Sequence, residues 1–334
     1  MRKIKIAQIG INLNSHSNEI FGSICKQSDI FEVVGFVLPE NERERIPHKA
    51  KALEGYKELT LNEVLNNPEI EAVVIETDEI YLTKYALMAA KANKHIHMEK
   101  PGGVSLADFE KLISIMKKTG KVFHMGYMYR YNPYIQELMA QIENGELGEI
   151  ISVEAQMNCT HPASTRQWLA NLPGGMMFYL GCHLVDLIFR IQGKPKKIIP
   201  LNKCSGIDGI SAKDFGFTVF EYENGVSFAK TTAVELGGFA RRQLVVNGTK
   251  ATVELNPLEW YTEDLKGLQT YRTVRTSTNW HKSEEKEKSE VLDRYDNMMY
   301  SFAEYIRGKK KNSYTLDYEL ELYKTILETC EEFV

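Results

Sequence analysis

Four side chains have the types and spacing for proton chemistry. Lys100, in "HIHMEKPGG" (95–103), stands between an expected strand end and a proline. The residue before a proline is pushed towards extended geometry, so this ammonium is aimed from a strand-end platform. There it can serve as a general acid/base or hold a substrate hydroxyl. An ordinary surface lysine is the competing reading, and the coincidence of strand end, proline and two glycines weighs against it. In "GGMMFYLGCHLVDL" (174–187), helical geometry places Tyr179 and His183 at i,i+4 and His183 and Asp186 at i,i+3, so all three can share a face. An imidazole beside a carboxylate can exchange a proton near neutral pH. The competing reading is a buried histidine satisfied within its own helix. No further His or carboxylate cluster accompanies these residues, and no metal site is expected.

The elements that must carry them alternate strand and helix over the first 125 residues. "KIKIAQI", "FEVVGFVL", "EAVVIET", "HIHME" and "KVFHMGYM" read as strands. Helices lie between them; Thr60 with Glu63 forms a capping box for one, and Ser105 with Asp108 opens another that Gly120 ends. This alternation predicts parallel pairing and a doubly wound Rossmann-type α/β sheet. Beyond residue 125 the pattern changes to a long strand "EIISVEAQMNC", a helical region, and strands joined at Asn224-Gly225 and Asn247-Gly248. Asn-Gly between apolar runs marks tight hairpins, so residues 126–334 are expected to form an α+β domain with a large, open, mainly antiparallel sheet. "SEEKEKSE" (283–290) reads as a solvated loop, with two amphipathic helices, near 291–307 and 316–333, closing the chain.

In open parallel sheets, ligands bind beyond the carboxyl ends of the strands. "IGINLNSHSNEIFG" (9–22) occupies the first such position, where a dinucleotide loop of pattern G-x-G-x-x-G would lie. Gly10 is kept, but Asn12 and Ser15 stand at the second and third glycine positions. Asn tolerates left-handed backbone, and Asn14 or Ser15 could cap the next helix, whose N-terminus would still attract phosphate.

The net charge of −4 over 334 residues gives no electrostatic case for nucleic acid or an anionic membrane. Five scattered cysteines without C-x-x-C spacing argue against a disulfide framework and suit a reducing cytoplasm. Neither a signal peptide nor an apolar run long enough to span a bilayer is evident, so a cytoplasmic location is expected.

Taken together, Gly10, "EVVGFVLPENERER", "LNEVLNNPEIEAVVIET", "AAKANKHIHMEKP", "GYMYRYNPYI", "NGELGEI", "PGGMMFYLGCHLVDL" and "VNGTKATVEL" resemble the Gfo/Idh/MocA family (glucose–fructose oxidoreductase, inositol dehydrogenase, rhizopine oxidoreductase) over nearly the whole chain. The resemblance implies a nicotinamide-dependent dehydrogenase acting on a sugar, sugar derivative or cyclitol. It makes Lys100 the active-site lysine and His183 the second acid/base, with Asp186 orienting His183 and Tyr179 where many members carry aspartate. Cofactor contacts would come from Gly10, Asn12, Leu13, Asn14, Ser15, Leu38, Thr77, Glu99, Lys100 and Pro101. Substrate contacts would come from Tyr129, Arg130, Asn132, Arg166 and Trp168. Arg130 equally suits an interdomain ion pair, and Trp168 a place in the core. A small-molecule substrate and a homo-oligomer, dimer or tetramer, built through the C-terminal sheet are expected.

The chain departs from the family pattern where the cofactor is read. Leu38 stands where NAD-binding members commonly have an acid for the adenosine ribose; Glu40 is nearby, and Arg43 and Arg45 could meet a 2′-phosphate. NAD is favoured slightly over NADP. After the third strand, "TDEIYL" replaces the usual T-P-N, and Leu82 stands near an expected histidine. These changes leave open a member that binds without redox turnover, or a hydrolase or epimerase assisted by a held NAD.

Overall fold

The computed structural model describes residues 2–265, 267–278 and 284–331, in two compact units. The first comprises residues 2–127 with Tyr295–Tyr323, and the second Met128–Arg294 with Lys324–Glu331. The segment 295–323, assigned to the second domain from sequence, is thus part of the first unit.

In the first unit the order is β1 (Ile4–Ile9), α1 (Ser17–Lys26), β2 (Phe31–Val37), short α2 (Glu42–Arg45) and α3 (Pro47–Ala50), α4 (Leu61–Asn66) and β3 (Ala72–Ile75). It continues with α5 (Leu82–Lys91), β4 (His95–Met98), α6 (Leu106–Thr119) and β5 (Phe123–Met125). The five strands form one parallel sheet in the order β2-β1-β3-β4-β5. β3 is buried along its whole length and β1 at all but one position, the pattern of a sheet covered on both faces. Thr60 and Glu63 make the expected capping box on α4, and Ser105 caps α6, which ends at left-handed Gly120. The order reverses between β1 and β3, which makes their carboxyl ends the switch point.

The second unit holds α7 (Pro133–Glu143), β6 (Ile150–Asn158), α8 (Ala163–Trp168), α9 (Cys182–Gln192), β7 (Lys197–Pro200), β8 (Phe215–Glu221) and β9 (Val226–Thr232). β10 (Gln243–Gly248), β11 (Thr252–Leu255), β12 (Trp260–Tyr261), β13 (Leu268–Gln269), β14 (Tyr271–Arg275) and β15 (Glu284–Lys288) follow. Its main sheet runs β15-β14-β11-β10-β6-β9-β8-β7, antiparallel except for β6 beside β9. Both hairpins form, β8–β9 and β10–β11, but Asn247-Gly248 ends β10 and the second turn is made by Thr249-Lys250, with Gly248 N donating to Ala251 O. Alternation of buried and half-buried residues along β6 and β8 puts one face of the sheet on an apolar layer. β15 corrects the loop expected at 283–290: Glu284–Lys288 adds an edge strand, and Ser283 lies outside the described residues. Charged side chains along an edge are a common way to keep it from pairing further. The closing helices are α10 (Asp296–Ile306) and α11 (Leu316–Thr329), shorter than the sequence suggested. Among the described residues no helix is long and apolar enough to cross a membrane.

Candidate active site

At the switch point, Gly10 has φ +89°, and a Cβ there would lie 2.3 Å from Thr77 Cγ2. Only glycine lets β1 and β3 end this close. The next residues depart from the expectation. Asn12 is not left-handed; it is fully buried, and its Nδ2 donates to Glu79 Oε2 (2.9 Å) and Thr77 O (3.3 Å). Its Oδ1 accepts from Asn14 N at 2.8 Å. The side chain is thus turned into the fold and held between the loops after β1 and β3. Leu13 is 51% exposed at the loop tip. Ser15 does not cap α1: the helix begins after His16, which makes no side-chain cap bond, and the buried Ser15 hydroxyl has no hydrogen-bond partner. The first-turn N–H groups of α1 therefore lack a side-chain cap from the N-cap residue, a setting that suits an anion.

Buried carboxyls surround this loop. Glu42 Oε2 accepts from Ile11 N at 3.0 Å, and burial pushes the acid up to about 8. Glu79 is pushed up to about 7, again by burial. Glu76 and Glu99 are raised for the same reason, each with charged neighbours. Lys49 Nζ donates to Ser15 O at 2.6 Å. Leu38 is half-buried past β2, and Glu40 points to Tyr85 Oη (2.6 Å) and Lys84. Arg43 pairs with Glu58 and Arg45 with Asp78, so both guanidinium groups proposed for a 2′-phosphate are engaged within the chain.

Lys100 is 5% exposed at the end of β4, with Nζ 3.5 Å from Glu99 Oε1. Glu99 Oε2 lies where a Cβ on Gly126 would be (2.7 Å), so that glycine makes room for the carboxylate. Lys100-Pro101 is cis and Pro101 is buried. Gly103 O accepts from Tyr323 Oη at 2.8 Å, and Gly102 O from Thr83 Oγ1 at 2.8 Å, which pins the stretch after the lysine. Leu82, near the expected histidine, is a buried first residue of α5.

In the second unit, residues 177–181 form a π turn leading into α9. Such turns recur at functional positions. The His183 ring meets Tyr129 edge-on (5.5 Å), while Tyr179 meets Trp168 (5.2 Å) and His161 (5.9 Å). Arg130 grips the Asp186 carboxylate through Nε (3.1 and 3.0 Å) and Nη2 (2.7 Å). This pair lies within the second unit, so it is not an interdomain pair. Asn132 caps α7 through Tyr134 N and Ile135 N and ties to Thr270 Oγ1, a structural role. Arg166, 3% exposed, is held by Asp208, Asp214 and the carbonyls of His161 and Ile207. Tyr129 lies near Glu259, and burial first and that carboxylate second push its phenol up. Glu259 in turn binds Arg242 (2.9 Å) and Arg294 (2.7 Å). Among the described residues no group of three or more His, Cys, Asp or Glu side chains could hold a metal ion.

Sequence reasoning missed Glu42, Glu76, Glu79, His97 and His124. The available signal was an acid ending the apolar run "AVVIE" and the alternating histidines of "HIHM".

A parallel sheet with a glycine at its switch point, followed directly by a helix start, is the arrangement of a dinucleotide-binding α/β protein. Residues 4–127 match the family model described as "Oxidoreductase family, NAD-binding Rossmann fold", and residues 135–254 the "GFO/IDH/MocA C-terminal domain". The chain belongs to the Gfo/Idh/MocA family of oxidoreductases. It is 32% identical over 139 residues to the uncharacterized oxidoreductase YhhX of Escherichia coli, covering 41% of this chain and 40% of that protein. It is 25% identical over 248 residues to trans-1,2-dihydrobenzene-1,2-diol dehydrogenase of Bos taurus, covering 69% and 71%. To D-glucoside 3-dehydrogenase of Escherichia coli it is 27% identical over 211 residues, covering 56% and 59%. The chain thus spans less than two thirds of YhhX and of the glucoside dehydrogenase. A 3-ketoreductase from Actinomadura kijaniata, solved in complex with NADP and TDP-benzene, shares the fold with a TM-score of 0.78 at 13% identity, covering 97% of this chain and 96% of that one.

Proposed function

We propose that this protein is a nicotinamide-dependent dehydrogenase that oxidises a hydroxyl of a sugar, sugar derivative or cyclitol, or runs that reaction in reverse. The observation that carries the reading is Lys100, buried at the carboxyl end of β4 with Glu99 at 3.5 Å, in the family's strand–lysine–proline setting. Gly10, Asn14, Ser15 and Thr77, with the start of α1, would hold the cofactor, which supplies the hydride acceptor. The neutral amine of Lys100 takes the proton of the substrate hydroxyl, and the ammonium so formed stabilises the alkoxide character that develops on that oxygen. His183 is the second acid/base of the proposal, with Asp186 and Tyr179 beside it in sequence. Trp168, half-buried against Tyr179, suits the apolar face of a sugar ring. The relatives that act on a glucoside and a dihydrodiol support a polyhydroxylated ring as substrate class. A homo-oligomer through the open sheet belongs to the same reading.

One observation favours a second reading, a diverged member that binds without turnover: Glu42 already occupies the N–H of Ile11 in the nucleotide loop. Fluorescence titration with NADH and NADPH separates the two, followed by a panel of sugars and cyclitols. The dehydrogenase reading expects saturable binding of one cofactor and turnover that Lys100→Ala abolishes while cofactor affinity stays within about threefold. Absence of binding by folded protein, or unchanged turnover in Lys100→Ala, overturns it.

A further inference from the structure

One buried arginine of the second unit has an edge of its guanidinium unused. Arg130, Arg166, Arg272 and Arg294 each give their Nε–H to an acceptor: Asp186, the His161 carbonyl, Glu287 and Glu259. Arg242, 8% exposed, does not. Its Nη1 donates to Glu259 Oε2 at 2.9 Å, but its Nε is buried without a hydrogen-bond partner. Nη2, on the same edge as Nε, makes no hydrogen bond among the described residues and is not buried, so the edge opens at Nη2.

The fold holds this guanidinium in place. Arg242 immediately precedes β10 with an extended backbone (φ −68°, ψ 122°). Its N–H donates to Phe239 O at 3.2 Å, and its carbonyl accepts from Leu258 N at 2.7 Å. The Phe239 ring lies against the guanidinium, 4.4 Å from Cζ to the ring centre. Glu259 is shared with Arg294, which reaches it through Nε at 2.7 Å and Nη2 at 3.0 Å. The charged and titratable neighbours of Arg242 are Glu259, Arg294, Tyr129 and Cys159. Burial keeps Tyr129 and Cys159 neutral, so of these four only Glu259 is negative, and two guanidinium groups divide it. A buried cation with most of its N–H groups unused is costly without a further acceptor.

The unused edge belongs with the candidate site. Two residues before Leu244, Arg242 falls on the face of β10 that is buried with Val153 and Ala155 of β6, where α9 packs. α9 carries His183, whose ring meets Tyr129, the phenol near Glu259. His161, ring to ring with Tyr179 at 5.9 Å, feels the Arg242 charge.

We propose that Arg242 is a specificity-determining residue that takes a carboxylate of the substrate on its Nε–Nη2 edge, which makes the substrate a sugar acid or a carboxylated cyclitol. That the carboxylate sits on a ring with a reacting hydroxyl rests on the dehydrogenase reading; the anion site does not. A planar group with two oxygens matches one guanidinium edge, and charge-assisted pairs of this kind are short and strong. A dianionic phosphate fits less well, because Glu259 on Nη1 would repel its second charge. Glu259 and Phe239 fix the guanidinium plane, so the edge is set before the ligand arrives.

The test is calorimetry on the full chain with three carboxylates, each beside a neutral counterpart. The pairs are D-glucuronate with D-glucuronamide, D-galacturonate with D-galactose, and quinate with myo-inositol. At least one carboxylate should bind at least about tenfold more tightly than its counterpart. Arg242→Met should weaken that binding by about 30- to 100-fold, and Arg242→Lys, which keeps the charge and loses the edge, by about five- to tenfold. Circular dichroism shows whether each variant is folded, and the lysine variant carries the test if the methionine variant is not. Neutral counterparts that bind as well as the acids overturn the proposal. So does carboxylate affinity unchanged in a folded variant, or no carboxylate binding up to about 10 mM. Arg242-dependent binding without turnover by NAD or NADP keeps the anion site and removes the dehydrogenase reading. Turnover of neutral sugars as fast as their acids keeps that reading and removes the anion site.

Discussion

The carboxamide of Asn12 donates to Glu79 Oε2 at 2.9 Å, tying the loop after β1 to the loop after β3 by side chains. This bond places a buried acid beside the nucleotide loop, and its titration has a definite sign. Glu79 is raised by burial to about 7 in the folded chain, against about 4.3 when unfolded. The folded state therefore holds a proton that the unfolded state loses, so stability falls as pH rises from about 4.3 to about 7 and levels off above. Glu79→Gln should be more stable than wild type above pH 7, by on the order of 1–3 kcal/mol, and equal to it below about pH 4. Urea unfolding at three pH values checks this; parallel wild-type and variant profiles would count against the assignment.

Gly10→Ala should destabilise the first unit. Its φ of +89° disfavours any side chain, and the new methyl would meet Thr77 Cγ2 at 2.3 Å. The expected cost is about 2–4 kcal/mol in chemical denaturation, with weaker NADH binding in whatever remains folded.

Arg130 and Asp186 form a buried ion pair, with side chains 2% and 1% exposed. Breaking it from one side strands a charge. Arg130→Met or Asp186→Leu alone should each cost about 3–5 kcal/mol, and the double variant much less than their sum. A double-mutant cycle by urea melts decides; additive losses would show that the two groups are independent.

Leu38→Asp should improve NADH binding by about five- to tenfold and leave NADPH unimproved, because an acid past β2 can accept from the adenosine ribose hydroxyls. Arg43 and Arg45 are already engaged by Glu58 and Asp78 and offer no obvious replacement contact to the 2′-phosphate. Paired fluorescence titrations measure it, and no gain would mean that Leu38 does not face the ribose.

Much of the fold was legible because its signals are local. Apolar runs of strand length separated by capped helices specify a parallel sheet, and Thr60 with Glu63 and Ser105 with Gly120 do in the structure what their types predict. The misreading of 284–288 has a physical cause: "EEKEK" has the composition of a solvated loop, and only pairing with Tyr271–Arg275 makes it a strand. Edge strands carry little of the apolar pattern by which strands are recognised.

For the site, the sequence by itself determined the residue types at each strand end: Gly10 at the switch point and Lys100 before its proline. Those follow from chain order, since each strand end must lie at the same edge of a parallel sheet. Which groups pair was decided only by tertiary structure. Asn12 became a buried clamp on Glu79, Asn132 a helix cap, Arg130 the partner of Asp186, and Arg166 the partner of two aspartates. His97 and His124 meet because β4 and β5 take one register, 27 residues apart in the chain. A hydrogen bond or ion pair depends on distances between segments remote in sequence, and burial then sets its strength; neither quantity is written in the local order of residues.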